Sequence, residues 1–384
     1  MAVLSELTSQ GANGKTRNTV AVAMSGGVDS SVAAALLAQQ GHEVIGLTMH
    51  LWTDPAGEEL AVNRASGCCS VTMAHDAAAV AERMGFRHYV LDLSREFHSA
   101  VIEDFGREYL RGRTPNPCVR CNTFVKWQTL LARARRMGCD YLATGHYARV
   151  DRSGSRVRLL RAAYLEKDQS YALWGLSQES LSRTLFPVGE LSKAEVRRIA
   201  ADLNLLTADK PESQDICFVP DNDYRRFVKE HFSSNLPVLE PGEIMGPDNR
   251  VLGYHGGVTR FTVGQRKGLG ISAERPLYVT RIDARANRVF VSYDDECFSS
   301  VAAAEAVHWV SIAQPERPLE CAVKVRYRDD LHPARVSPLP GNRVRIEFDG
   351  PVRAVTPGQS AVFYDGETVL GGGILSLSQE VEDA

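Results

Sequence analysis

The chain has 384 residues and a formal net charge of −3, with 44% hydrophobic and 24% charged residues. This length predicts two or three domains, and the composition excludes collagen-like, coiled-coil and largely disordered proteins. The longest apolar runs, 20–24 and 33–38, are far shorter than the roughly 18 residues that a membrane helix needs. Residues 1–18 lack the pattern of a signal peptide and are expected to form a disordered tail, so we expect a cytoplasmic protein without a membrane partner.

The first half of the chain alternates short apolar runs with longer helical patterns. Residues 20–24 are typical of a buried strand, and the alanine-rich stretch 30–40 is typical of a helix that ends at Gly41. The same alternation continues in strands at 43–48, 88–91 and 141–144 and in helices at 74–84 and 125–137. This order predicts an α/β fold with a doubly wound, Rossmann-like parallel sheet, whose ligands bind beyond the carboxyl ends of the strands.

Glycine and proline become denser after about residue 211, and alternating apolar patterns dominate from residue 277 onward. Several short strands at regular spacing predict a C-terminal antiparallel β-barrel. The sequence therefore predicts four segments: a disordered tail (1–18), the α/β domain (19–213), a small central domain (214–276) and the barrel (277–384).

A glycine- and serine-rich loop follows the first predicted strand and opens the first helix. Its glycines let the backbone approach a ligand closely, and its amides together with the helix N-terminus favour anionic oxygens. The loop has neither the Walker pattern nor the Gly-x-Gly-x-x-Gly pattern of dinucleotide-binding folds. Asp29 is expected to hold Mg²⁺ or to cap the helix. The candidate phosphate-binding residues are Ala23, Met24, Ser25, Gly26, Gly27, Val28, Asp29 and Ser30.

This loop resembles the PP-loop of the N-type ATP pyrophosphatases, which split ATP between its α- and β-phosphates. In that family the adenine packs on the next strand, which makes Met49 a candidate nucleotide contact; a core methionine is the alternative. Gly145, at the end of another strand, would leave room for the nucleotide, or it forms an ordinary turn.

Two cysteine segments are candidates for chemistry. Cys118 and Cys121 form a Cys-x-x-Cys pair in a loop with two prolines, and Cys217 lies at the end of the α/β region. Arg120, Lys126 and a helix start near residue 123 favour the thiolate of Cys121. By itself such a pair binds a metal, cycles as a redox dithiol or is inert. The remaining cysteines are interpreted as structural: Cys68, Cys69, Cys139, Cys297 and Cys321.

Seven motifs occur in order and together closely resemble the tRNA-specific 2-thiouridylase family. They span nearly all of residues 19–378 and comprise the PP-loop, 112–122, 144–149, 167–171, 213–218, 262–270 and 357–364. The resemblance implies ATP-dependent adenylation of the wobble uridine C2 oxygen in tRNA, followed by sulfur transfer that yields 2-thiouridine, AMP and pyrophosphate. It also implies Mg²⁺ and a cysteine desulfurase or sulfur-relay protein as the sulfur donor.

The resemblance also implies roles for individual residues. Cys121 matches the catalytic cysteine, Cys217 matches the persulfide carrier, and Asn116, Pro117 and Cys118 match the stretch that approaches the target base. Many family members have Asp where this chain has Cys118. The implied tRNA contacts are His146, Lys167, Asp168, Gln169, Arg326, Tyr327 and Gln359.

Three alternatives stay open at the level of sequence. Cys118, Cys121 and Cys217 together suit a [4Fe–4S] cluster with one open iron, which would replace the persulfide as the sulfur source. The second alternative is a different enzyme, an amidating PP-loop synthetase. The third alternative is a non-catalytic RNA-binding or metal-storage module. Local basic clusters, including Arg266 and Lys267, favour an RNA partner despite the acidic net charge.

Overall fold

The computed structural model describes residues 17–52, 71–211, 216–219, 221, 223–232 and 236–376. Nearly all of the predicted tail, the pair Cys68 and Cys69, and residues 213–215 of the second cysteine motif lie outside the described residues. The chain divides into two compact units, one of Met1–His98 with Cys121–Pro220 and one of Ser99–Arg120 with Asp221–Ala384.

The helices begin and end close to the glycines and caps that the sequence contains. They are α1 (Val28–Gln39), α2 (Val71–Met84), α3 (Ser94–Phe97), α4 (Glu103–Leu110), α5 (Pro117–Arg120), α6 (Leu131–Arg136), α7 (Gln178–Ser182), α8 (Lys193–Asp202) and α9 (Tyr224–Phe232). A π-helix, Cys121–Leu130, precedes α6. The helical conformation thus begins at Pro117, six residues before the predicted start, so Cys121 does not lie at a helix N-terminus. None of the described helices is long and apolar enough to cross a bilayer.

The strands are, in chain order, β1 (Thr19–Ala23), β2 (Glu43–His50), β3 (Arg87–Asp92), β4 (Tyr141–Thr144), β5 (Ala148–Asp151), β6 (Arg158–Arg161), β7 (Thr184–Leu185), β8 (Pro241–Met245), β9 (Val251–Gly256), β10 (Tyr278–Asp283), β11 (Arg288–Ser292), β12 (Phe298–His308), β13 (Leu319–Lys324), β14 (His332–Leu339), β15 (Arg343–Arg353), β16 (Ser360–Asp365) and β17 (Thr368–Ser376).

The first unit contains a parallel sheet in the order β3-β2-β1-β4-β7. Its central strand β1 lies between β2 and β4, with Ala21 paired to Ile45 on one side and to Leu142 on the other. The valines of β1 and the alanine face of α1 are fully buried in one core, which explains why both read as almost uniformly apolar. The predicted parallel sheet is confirmed, and the order changes direction at β1, which places the loop after β1 where ligands bind such sheets.

The second unit contains a small sheet and a barrel. The small sheet has the order β10-β11-β8-β9, in which β11 runs parallel to β8. The barrel has the order β12-β15-β14-β13-β16-β17 and is closed by pairing of β12 with β17, which confirms the predicted antiparallel barrel. Sequence alternation placed β10 and β11 with the barrel, whereas Val279, Val289 and Ile244 share one core beside β8. Alternation identifies strands but not the sheet to which they belong.

Candidate functional site

The loop after β1 is fixed by glycine geometry and by serine hydroxyls. Gly26 has a φ of +66°, and a Cβ there would meet the Met73 carbonyl oxygen at 2.5 Å, so only glycine fits. The Ser30 hydroxyl accepts the Ser25 N–H at 3.2 Å and donates to the Gly27 carbonyl at 3.1 Å. Gly27 is the N-cap of α1 and supplies no side-chain cap. The first turn of α1 therefore presents N–H groups suited to an anion.

Asp29 is held by two residues that are distant in sequence. The Lys193 Nζ lies 2.8 Å and 2.9 Å from its two carboxylate oxygens, and the Tyr147 hydroxyl donates to Oδ1 at 2.8 Å. Lys193 opens α8, whose start is fixed by a capping box between Ser192 and Glu195. Asp29 does not cap α1, which corrects that expectation. A Mg²⁺ ion at this carboxylate would compete with the Lys193 ammonium for its oxygens.

The same tyrosine connects the loop to the next predicted motif. The Tyr147 N–H donates to Gln169 Oε1 at 2.9 Å, and the Gln169 N–H donates to the Tyr147 carbonyl at 2.8 Å. Asp168 and Gln169 directly precede the 3₁₀ turn Ser170–Leu173. Hydrogen bonds between Tyr147 and Gln169 therefore join the motifs 144–149 and 167–171, and Tyr147 also contacts Asp29 of the PP-loop.

The turn Ser170–Leu173 also holds the π-helix that begins at Cys121, the cysteine that the sequence predicts to be catalytic. Asn122 Nδ2 donates to the Ala172 carbonyl at 3.0 Å, and Lys126 Nζ donates to Asn122 Oδ1 at 2.8 Å. The neighbouring Cys121 is 9% exposed at the start of the π-helix. π-Helices are rare, appear mostly as single-turn bulges inside α-helices, and are frequent at functional sites. A continuous set of hydrogen bonds thus runs from Asp29 through Tyr147 and Gln169 to the segment of Cys121.

Cys217 is half-buried, and both flanks of its segment are anchored at the carboxyl edge of the sheet. Phe218 is buried and packs edge-on against Phe97 of α3, with ring centroids 5.6 Å apart, and α3 directly follows β3. On the other side, Lys210 Nζ donates to the Gly26 carbonyl at 3.4 Å and pairs with Asp76. Six residues lie between Lys210 and Cys217, and 212–215 among them lie outside the described residues. Both anchors lie at the edge of the sheet that carries the PP-loop.

Most of the residues expected to contact tRNA in the first unit make internal contacts. His146 is half-buried beside the rings of Trp127 and Phe186 and shares a 2.7 Å hydrogen bond with Thr144. Burial lowers the pKa of His146 well below its ordinary value, so the ring is neutral. Asp168 is buried and accepts the N–H groups of Ala162 and Ser170. Lys167 is half-buried.

The remaining predicted contacts lie in the second unit. Tyr327 is 41% exposed, whereas the half-buried Arg326 donates to the Arg353 carbonyl at 2.9 Å. Gln359 Nε2 donates to the carbonyls of Thr114 and Pro115 at 2.8 Å and 3.3 Å. The three residues predicted to bind the target base differ in solvent exposure: Asn116 is half-buried, Pro117 is buried and Cys118 is exposed.

The nucleotide candidates occupy the expected strand ends. Met24 is buried and donates its N–H to Leu47 at 2.8 Å, and Met49 is half-buried near the end of β2. Gly145 follows β4, and a Cβ there would meet the Ser30 nitrogen at 2.5 Å. The structure therefore gives Gly145 a packing reason, namely close approach of β4 to the first turn of α1.

The three remaining described thiols are suited to a structural role. Burial raises the pKa of Cys139 and Cys297, and it raises that of Cys321 to about 12, so these thiols are protonated at neutral pH. Within the described ranges, no three His, Cys, Asp or Glu side chains are grouped to hold a metal ion. No observation on the described residues favours the [4Fe–4S] alternative.

Sequence reasoning missed Lys193 and Lys210. The capping box around Lys193 was a local signal for the start of α8, but no local pattern indicates that its ammonium reaches Asp29, 164 residues away.

Comparisons with known proteins cover nearly the whole chain. Family models match residues 18–221 (tRNA methyl transferase HUP domain), 225–293 (tRNA methyl transferase PRC-barrel domain) and 299–375 (Aminomethyltransferase beta-barrel domain). The chain is 47% identical over 372 residues to the tRNA-specific 2-thiouridylase MnmA of Symbiobacterium thermophilum, covering 96% of this chain and 95% of the relative. It is 49% identical over 363 residues to that of Geotalea uraniireducens, covering 93% and 94%. A solved 4-thiouridine synthetase–RNA complex with bound ATP has a TM-score of 0.32 at 12% identity, covering 56% of this chain and 50% of that one.

Proposed function

This chain belongs to the tRNA-specific 2-thiouridylase family, and we propose that it uses ATP to replace the C2 oxygen of the wobble uridine in tRNA with sulfur. The observation that carries this proposal is the hydrogen-bonded path that joins the anion-binding loop at Asp29 to the helix of Cys121 through Tyr147 and Gln169. It couples a phosphate site to a thiol site on one edge of the sheet. The family models carry methyl-transferase names, whereas the relatives at 47% and 49% identity are named tRNA-specific 2-thiouridylases, and the proposal follows these relatives.

The reaction requires activation before substitution. The C2 oxygen of uracil is a poor leaving group, so it attacks the α-phosphorus of ATP and pyrophosphate departs. The residues proposed to bind ATP are 23–30, Met49 and Gly145, with the N–H groups of the first turn of α1 placed to stabilise negative charge. Mg²⁺, when bound with ATP, would neutralise charge on the departing phosphates. Asp29 is the residue proposed to hold it, in competition with the Lys193 ammonium.

Sulfur transfer is proposed to use Cys217 and Cys121. The outer sulfur of a Cys217 persulfide attacks C2 and expels AMP, which leaves the base joined to Cys217 through a disulfide. The Cys121 thiolate then attacks the Cys217 Sγ, which releases 2-thiouridine and forms a Cys121–Cys217 disulfide. A thiol reductant restores the two thiols. A cysteine desulfurase or a sulfur-relay protein is proposed as the donor that reloads Cys217.

The tRNA is proposed to contact Tyr327 and Lys167 directly and to place its extruded uridine beside Asn116, Pro117 and Cys118. An anticodon base is already single-stranded, so extrusion costs little. His146, Asp168 and Gln169 are proposed to support this surface from beneath rather than to touch RNA, because their polar atoms are used internally. We propose the cytoplasm, where this substrate is found, as the site of action.

Labelled-sulfur transfer tests the proposal. With ATP, tRNA and a ³⁵S-charged sulfur donor, the wild-type protein should thiolate tRNA. Cys217→Ser should abolish thiolation and retain tRNA-dependent pyrophosphate release, whereas Cys321→Ser, at a barrel thiol with a raised pKa, should resemble wild type. Normal thiolation by Cys217→Ser contradicts the assignment of the sulfur carrier. ATP turnover without tRNA would instead support an amidating synthetase, and iron with sulfide in anaerobically purified protein would support the cluster.

A further inference from the structure

Arg113 lies in the segment that leads to the proposed base-binding residues, and it is enclosed by two carboxylates. Its Nε is 2.8 Å from a Glu108 oxygen, and its Nη1 is 2.7 Å from a Glu305 oxygen. The side chains of Arg113 and Glu108 are only 16% and 12% exposed. Burial raises the pKa of Glu108, and the Arg113 charge opposes that rise. Glu108 belongs to α4 and Glu305 to the barrel strand β12, so the arginine ties the loop to both.

The next two residues are held by the barrel through their backbone. The Thr114 N–H donates to the Pro357 carbonyl at 2.9 Å, and Gln359 Nε2 donates to the Thr114 and Pro115 carbonyls. Gly358 has a φ of +91°, and a Cβ there would lie 2.9 Å from both the nitrogen and the oxygen of Thr114. The two backbones therefore approach as closely as glycine permits.

We infer that Glu305 and Gln359 are positioning residues, which hold residues 113–115 against the barrel so that Asn116, Pro117 and Cys118 are presented in a fixed geometry. This inference rests on the proposed function, because the presentation matters only if those three residues meet the target base. It also assigns a role to the barrel beyond RNA contact. Gln359, which the resemblance assigned to tRNA, also acts through the loop, since its Nε2 donates to two loop carbonyls.

The physical reason is the stiffness that reaction geometry demands. Misplacement of a reacting group by about 1 Å can cost as much as 100-fold in rate. A short loop with two prolines has few conformations, and five contacts at its base remove most of the freedom that is left. Glu305 is the simplest contact to remove, because Glu108 still neutralises Arg113 and the protein is expected to fold.

Two variants and one matched control test the inference on the full chain. Glu305→Gln and Gln359→Ala are compared with Glu320→Gln, at a barrel glutamate that is 75% exposed and 3.7 Å from Arg335. The measurements are kcat and KM for tRNA-dependent pyrophosphate release, Kd for tRNA, and hydrogen–deuterium exchange in a peptide that covers residues 111–117. Each positioning variant should lower kcat by about tenfold, leave Kd within about twofold, and speed exchange at Thr114. The control should match wild type in all three.

Some outcomes would overturn the inference. Wild-type kcat in both variants would do so, as would unchanged exchange at Thr114. A weaker Kd for Gln359→Ala with unchanged exchange would mean that Gln359 contacts RNA directly. If wild-type protein released no pyrophosphate with tRNA, the proposed function would fail, and the exchange experiment would still decide whether the barrel holds the loop.

Discussion

At the scale of single residues, the PP-loop depends on how Asp29 is neutralised. Its carboxylate is 31% exposed and lies in the loop that is proposed to bind phosphate, so an unpaired charge there would repel the proposed substrate ATP. Lys193, whose side chain is 13% exposed, supplies the opposite charge, and Tyr147 fixes one oxygen. Lys193 is therefore placed to act on the substrate as well as on the loop.

Lys193→Met should weaken ATP binding by about tenfold or more, because it leaves the Asp29 charge facing the incoming phosphates. Lys193→Arg should retain part of the affinity. Isothermal titration with ATP checks the prediction, and Lys229→Met, at an exposed lysine of α9, serves as the control. Equal Kd values for wild type and Lys193→Met would show that the pair does not influence the nucleotide site.

His146 predicts the sign of a pH dependence in the stability of the protein. Its pKa is lowered from 6.5 by burial first and by the Lys126 charge second. The unfolded chain therefore binds a proton at this histidine near pH 6.5, whereas the folded chain does not. The free energy of unfolding consequently falls as the pH drops below that value. The unfolding midpoint should decrease between about pH 7.5 and about pH 5.5. The decrease should be smaller in His146→Gln and unchanged in His75→Gln, at an exposed histidine. Parallel curves for all three proteins would refute the assignment.

At the scale of elements, the site depends on how closely β4 approaches α1. Gly145 directly follows β4, and there is no space for a Cβ atom at this position. Such an atom would lie 2.5 Å from the Ser30 nitrogen and 2.6 Å from the Asp29 carbonyl carbon. The π-helix that begins at Cys121 also packs closely against a glycine, because a Cβ atom at Gly175 would lie 2.3 Å from Thr123 Oγ1. Both contacts are between backbones or short side chains, which cannot move aside cheaply.

Gly145→Ala should destabilise the protein by about 1–3 kcal/mol and weaken ATP binding, because either β4 or the first turn of α1 must shift. Gly350→Ala is the matched control, since no atom lies within 4 Å of the added methyl group at that position. Chemical denaturation and ATP titration measure both effects. A Gly145→Ala protein with wild-type stability would mean that the strand end relaxes without cost.

At the scale of the whole molecule, an acidic chain is proposed to bind a polyanion. The net charge is −3, so attraction to tRNA must come from local basic groups and not from the total. Many arginines are already paired: Arg133 with Glu96, Arg345 with Glu347 and Arg353 with Asp294. The number of tRNA phosphates that the remaining basic side chains neutralise can be measured from the salt dependence of binding.

Affinity for tRNA should fall steeply with salt, with a slope of about −3 or steeper in a plot of log K against log salt concentration, since each neutralised phosphate contributes about −0.9. Fluorescence anisotropy over a series of salt concentrations measures the slope. A tRNA with cytidine at the wobble position should give the same slope and no thiolation. A slope near zero would exclude an electrostatic interface.

The sequence by itself determined the parallel sheet, the barrel, the phosphate loop and the thiols that carry the proposed chemistry. These follow from short-range patterns: apolar spacing sets strands and helices, and the Gly26 turn and serines 25 and 30 lie within one loop. Only the tertiary structure decided how the motifs work together. Lys193 meets Asp29 across 164 residues and Gln359 meets Thr114 across 245, and no local pattern encodes such contacts because they depend on how separate elements pack. For the same reason, only the fold revealed that His146 and Asp168 are used internally.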